Sequence, residues 1–285
     1  MKKIYLFTLS IFAFFSSNIP AFAQEGATPT QLGLRQPASS QMERIYEFHN
    51  LLLWIIIPIV IFVTGLLVWV AIRYRAKANP EPSKTTHHVA LEILWTAIPV
   101  IILIIIAIPS FKMLYYLDRV EEPEMTLKVT GYQWYWGYEY QDHEGISFLS
   151  YPIPEEEIDE SKGQRRLLST DNKVVLPIDT NIQILITSAD VIHAFTIPEF
   201  GFKKDAVPGR LNETWVRIEK PGIYYGQCSQ ICGVNHAYMP IEIEAVTKEE
   251  FEQWLIEAKD KFALNSPSHH NNNRAFKVAL LEGAK

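Results

Sequence analysis

The chain has 285 residues, 48% of them hydrophobic, a formal net charge of −6 and two cysteines. Enough apolar material is present to bury a sizeable core, and the acidic balance argues against a nucleic-acid partner. The apolar residues crowd into three runs before about residue 118, which excludes a uniformly soluble globule.

The first run opens on Lys2 and Lys3, continues through Ile4 to Phe15 and ends at Ala21-Phe22-Ala23. Basic start, apolar middle and Ala-x-Ala exit predict a signal peptide over 1–23, the competing reading being a first membrane anchor. Residues 24–48 then read as a polar periplasmic segment. A membrane hairpin is expected over 49–117, with helices at about 49–72 and 89–117, since each run exceeds the roughly 20 apolar residues that span a bilayer. Pro58, Pro99 and Pro109 are compatible with spanning helices, where neighbouring groups satisfy the freed carbonyls. The loop 73–88 carries Arg73, Arg75, Lys77 and Lys84 against one acid, Glu81. The positive-inside bias places it in the cytoplasm, so the chain is expected in the bacterial inner membrane with both mature termini periplasmic.

Residues 118–262 hold 14 Lys+Arg against 26 Asp+Glu, a net of −12. Such a surface is either a solvated face or a field that steers a basic partner, and charge alone leaves both open. From Met125 the pattern turns to short Thr-, Val- and aromatic-rich runs separated by Pro and Gly. Ile182, Ile184 and Ile186 alternate with Gln183, Leu185 and Thr187, and Ile241-Glu242-Ile243-Glu244 predicts one face buried and one wet. An all-β antiparallel sandwich closed by a helix from about Lys248 to Phe262 is expected. Glu155 to Gly163 reads as an exposed acidic loop and 263–285 as a mobile tail, whose His269 and His270 do not make a metal site.

Cys228 and Cys232 lie in Tyr224-Tyr225-Gly226-Gln227-Cys228-Ser229-Gln230-Ile231-Cys232-Gly233-Val234-Asn235-His236-Ala237-Tyr238-Met239-Pro240. A lone pair of cysteines outside the cytoplasm is a disulfide by default. His236 and Met239 tilt the reading towards a metal, because thiolate, imidazole and thioether together form a soft set suited to copper. Two cysteines, two imidazoles and a methionine suffice for two copper ions. Spacing alone does not choose His193 over His143 as the second imidazole.

Gln133-Trp134-Tyr135-Trp136-Gly137-Tyr138-Glu139-Tyr140, Asp171-Asn172 with Val175-Leu176-Pro177, Asp190-Val191-Ile192-His193, Pro208-Gly209-Arg210-Leu211-Asn212 and the cysteine loop together resemble subunit II of cytochrome c oxidase. The resemblance runs from about residue 45 to 262 and implies a cupredoxin-like, Greek-key domain. It implies a dinuclear copper centre, CuA, held by His193, Cys228, Cys232, His236, Met239 and the Gln230 carbonyl. It further implies that Trp134 takes electrons from cytochrome c, that Glu139, Asp142 and Asp190 help dock it, and that Glu92 stands at the mouth of a proton path. Tyr135 and Tyr138 are expected in the core, and Trp134 exposed. The implied partners are subunit I, which carries haem and CuB, subunit III and cytochrome c. The family usually has glutamate where this chain has Gln230, which puts its magnesium contact in doubt, since hard dications favour carboxylates. The competing readings are a copper-delivery or thiol-redox membrane protein and a copper-free quinol oxidase subunit. Cys228, Cys232 and Met239 weigh against the latter.

Overall fold

The computed structural model describes residues 33–81, 83–118, 122–143 and 145–262. The expected signal peptide and C-terminal tail lie outside them. Of a first compact unit, Met1–Gln36, residues 33–36 are described and form no regular element; a second unit covers Pro37–Lys285.

Two long apolar helices open the second unit, α1 at Ser40–Arg73 and α2 at Val89–Asp118. Their side chains between Leu53 and Leu114 are largely exposed, Trp54 by 80%. Helices this apolar and this bare need a hydrocarbon surrounding, and each exceeds the length that crosses one.

α1 starts at Ser40 rather than near residue 49. The side chain of Ser39 accepts a hydrogen bond from the Met42 amide, an N-cap that lets a polar stretch become helical. That first turn is also clasped by the sandwich. Ser39 Oγ donates to the Phe200 carbonyl at 2.8 Å and Gln41 Nε2 donates to the Trp215 carbonyl at 3.1 Å. Ala38, Ser39, Gln41 and Met42 are all buried. Gly201, at φ +76, completes the fit, since a β-carbon there would stand 2.8 Å from Met42 Cα. From α2, the Tyr116 carbonyl accepts the Trp215 indole N–H at 3.2 Å. Residues 38–42, within the expected polar periplasmic segment, are therefore part of the folded domain.

Among the described residues ten strands follow: β1 Met125–Tyr132, β2 Tyr135–Tyr140, β3 Ser147–Ser150, β4 Val174–Pro177, β5 Asn181–Ser188, β6 His193–Ile197, β7 Phe202–Ala206, β8 Asn212–Arg217, β9 Gly222–Gln227 and β10 Pro240–Val246, before helix α3 at Lys248–Phe262. One sheet runs β3-β2-β1-β5-β8, a second β4-β10-β9, and β6-β7 form a separate ladder. Leu127, Val129, Trp136, Tyr138, Tyr140, Ile184 and Ile186 share a core with Leu176, Phe195, Ile241 and Ile243, with Phe251 and Leu255 of α3 packed on it. Alternation along β5 is complete, as the sequence predicts, and β1 beside it alternates in the same way.

The pairing is mostly antiparallel, but β1 with β5 and β4 with β10 run parallel, so the antiparallel description holds for the majority of the ladders only. Tyr135 also differs from expectation. Residues 136, 138 and 140 point inward, and Tyr135 lies half-buried on the other side, stacked on Tyr132 at 4.8 Å. Glu242, expected wet, is buried: residues 170–173 fold over it, and its carboxylate accepts the Thr170 amide at 2.6 Å. The acidic segment forms two exposed single turns, Glu155–Glu157 and Glu160–Lys162.

Candidate metal centre

The cysteine loop is the connection between β9 and β10, and it is closed at its base. Gln227 pairs with Pro240, and the Cys228 amide donates to the Met239 carbonyl at 3.0 Å. The Ser229 amide donates to the Ala194 carbonyl, which ties the loop to β6. His193 is the first residue of β6, so the same bond brings the histidine under the loop. A single turn at His236–Tyr238, preceded by a His236 amide bond to the Gly233 carbonyl, folds His236 back towards the cysteines.

Four side chains converge as a result. The two sulfurs lie 3.8 Å apart and are not joined. His193 Nδ1 is 3.8 Å from Cys228 Sγ, and His236 Nδ1 is 3.5 Å from Cys232 Sγ. Bonds of about 2.0 Å to nitrogen and about 2.3 Å to sulfur, at tetrahedral angles, separate N from S by about 3.5 Å and S from S by about 3.8 Å. The donors are thus spaced for a shared metal. Met239 is fully buried at the end of the same loop, and the Gln230 carbonyl lies 3.3 Å from Cys228 Sγ while its side chain is exposed. His143, the other sequence candidate, instead lies edge-on to Phe251.

Asp190 fixes the orientation of His193. Its Oδ1 lies 2.8 Å from His193 Nε2, and its Oδ2 accepts the Gln133 amide at 2.7 Å. A proton held on Nε2 leaves the Nδ1 lone pair directed at the sulfurs, the outer-shell arrangement common to metal-binding histidines. Burial lifts the Asp190 carboxyl, but the bonds from His193, Val191 and Gln133 outweigh it and hold the group below its usual value. His193 itself is lowered by burial and raised by Cys228 and Asp190, with a net rise. Burial also opposes the Cys228 thiolate, yet the bond from His193 and backbone donors bring that thiol down to about 6. Cys232, buried beside the Cys228 charge, is pushed up to about 12. Without a metal the pair therefore holds one negative charge near neutrality; a bound cation is what allows both to be thiolates.

Trp134 borders the site, half-buried rather than exposed, and its indole N–H donates to the Cys232 carbonyl at 3.2 Å. Glu139 is exposed and paired with Lys128 at 3.0 Å, and Asp142 caps the Thr126 amide. Glu92 stands apart, in the first turn of α2, and no contact joins it to the metal centre. Three contributors were missed in the sequence. Asp190 read as a docking acid, although its i,i+3 spacing to His193 is a signal in retrospect; Gln133 and Gly131 gave none. A β-carbon on Gly131 would stand 2.8 Å from the His193 ring, so glycine there makes room for the ligand.

A cupredoxin-like sandwich with a soft-donor site between its strands, tied to a two-helix membrane anchor, defines a membrane-anchored copper protein of the electron-transfer class. Residues 125–246 match the family described as cytochrome c oxidase subunit II, periplasmic domain, and residues 27–113 its transmembrane domain. Probable cytochrome c oxidase subunit 2 of Rickettsia felis is 49% identical over 92% of this chain and 82% of its own length. That of Rickettsia bellii is 51% identical over 86% and 89%. Among solved structures, the periplasmic domain of subunit II of cytochrome oxidase (CoxB) of Bradyrhizobium japonicum is 48% identical, covering 51% of this chain and all of that one, at a TM-score of 0.47. The chain belongs to the cytochrome c oxidase subunit II family.

Proposed function

We propose that this subunit takes electrons from cytochrome c at a dinuclear CuA centre and hands them to haem in subunit I, where oxygen is reduced to water with proton translocation. The observation that carries this reading is the convergence of two unbridged thiols with the Nδ1 atoms of His236 in the same loop and His193 at the start of β6, in a loop that also holds a buried methionine. His193, Cys228, Cys232, His236, Met239 and the Gln230 carbonyl are the assigned ligands. Copper held by these residues would supply a one-electron store, the soft thiolate, thioether and imidazole donors suiting that metal. The chain's own part is to present that set ready-made. Asp190 holds the His193 tautomer, Gly131 makes space for the ring, and the β9–β10 ladder fixes the span of the loop.

Trp134 is assigned as the place where electrons enter, since its indole reaches a ligand's carbonyl. Glu139 and Asp142 belong to the acidic face that attracts a basic cytochrome. Glu92, a carboxylate at the start of a spanning helix, is assigned to proton uptake, the default reading of an ionisable group in that position. The loop 73–88 lies on the cytoplasmic side in this scheme, and subunit III joins subunit I as a partner. No magnesium role is assigned to Gln230, because a neutral amide is a poor ligand for that ion.

Copper loading of the purified chain tests the reading. A mixed-valence dinuclear EPR signal, lost in Cys228→Ser, is expected. A mononuclear signal, or a colourless protein whose two cysteines have closed into a disulfide, would overturn it in favour of a thiol-redox protein.

A further inference from the structure

Two side chains converge on one backbone oxygen at the edge of the metal centre. The carbonyl of Cys232 accepts the Trp134 indole N–H at 3.2 Å and the Gln133 side-chain amide at 2.7 Å. The residue directly after that carbonyl is Gly233, at φ +125. Gly233 is exposed, so no tight burial in the core demands the smallest residue there. Two features demand it, the positive φ itself and the ring of Trp134. A β-carbon on Gly233 would stand 2.8 Å from Trp134 Cζ2, 3.3 Å from Trp134 Cε2 and 3.1 Å from Gln133 Nε2. Two of those atoms belong to a rigid ring packed against the core, so the ring cannot bend out of the way as a flexible chain would.

We propose that Gly233 is a positioning residue for electron uptake: its missing side chain is the space through which Trp134 reaches the Cys232 carbonyl. A methyl group there lifts the indole off the carbonyl and opens a gap between the ring and the ligand loop. Gln133 acts in the same direction, because its amide holds the second lone pair of that oxygen and fixes the carbonyl's orientation. The inference rests on the assignment of Trp134 as the place where electrons enter, and the experiment separates the two.

In the copper-free full-length chain, the Trp134 indole N–H resonance is identified by its loss in Trp134→Phe. Gly233→Ala is expected to shift that resonance and speed its exchange with solvent. In the assembled oxidase, Gly233→Ala should slow electron uptake from cytochrome c by on the order of tenfold, as small misplacements of reacting groups do. Transfer onward to haem and the copper EPR signal should stay as they are. Glycine at positive φ also relieves backbone strain, and that alternative makes a different prediction. Phenylalanine at 134 lacks the two colliding ring atoms, so in a Trp134→Phe background Gly233→Ala should slow electron uptake no further, while its backbone cost in stability stays the same in both backgrounds. A further loss of uptake rate in that background, or an unmoved indole resonance in Gly233→Ala, overturns the proposal. An uptake rate unaffected by Trp134→Phe alone overturns the role of Trp134 itself.

Discussion

Asp190, though exposed, takes hydrogen bonds from the His193 ring and from the Gln133 and Val191 amides, so its charge serves to orient the ligand. Asp190→Asn is expected to weaken copper retention by roughly 10–100-fold, the usual effect of removing an outer-shell partner, in a competition titration with a chelator. Retention equal to wild type would return Asp190 to the docking surface. Glu242 makes the opposite kind of prediction. Burial is the main influence on its carboxyl and lifts it above the usual 4.5, with the Thr170 amide and Lys173 pulling back less. A group raised on folding contributes stability below its unfolded value, and loses it as pH climbs through the folded value. Acidification towards the group's ordinary value of 4.5 should therefore gain melting temperature through this group, and Glu242→Gln should flatten that gain. Equal slopes for both proteins would contradict it. Neither role was legible in the sequence. The wet face of Ile241-Glu242-Ile243-Glu244 is covered by residues 72 positions away, and no local pattern reports a cover of that kind. The ligand loop was legible because its donors lie within twelve residues of one another, from Cys228 to Met239.

Among the elements, α3 was expected over the residues it occupies, Lys248–Phe262, because charge segregation and apolar spacing mark an amphipathic helix locally. The start of α1 was not, because Ser40-Gln41-Met42-Glu43 carries no apolar stripe and becomes ordered only through distant partners. Those partners set its energetics. Losing the Ser39 cap costs about 1 kcal/mol. Leaving the buried Phe200 carbonyl without its donor costs about 1–3 kcal/mol more. Ser39→Ala should therefore lower the sandwich's melting temperature by several degrees in detergent, at about 2–4 °C per kcal/mol for a unit of this size. An unchanged midpoint would mean that the first turn of α1 docks passively. The parallel pairings of β1 with β5 and β4 with β10 were likewise beyond periodicity, which fixes faces but not neighbours.

For the whole molecule, the segregation of charge is the feature with a measurable field. Residues 118–262 carry a net of −12, and Glu139 on β2 is 49% exposed beside its lysine. Salt shortens the reach of such a field to about 10 Å at 0.1 M. Turnover with a basic cytochrome c should fall as salt rises, and Glu139→Gln should flatten the slope; a rate independent of salt would leave the acidic face a solvated surface only. The clasp around Ala38–Met42 has a consequence for how the chain is made. Its partners, Phe200, Trp215 and Arg217, are synthesised after both spanning helices, and two crossings return the chain to the side it left. The first turn of α1 thus waits, unpaired, through the synthesis of everything between. The bonds that clasp that turn are therefore the last link made between the membrane hairpin and the outer domain, after the residues that receive them have been synthesised.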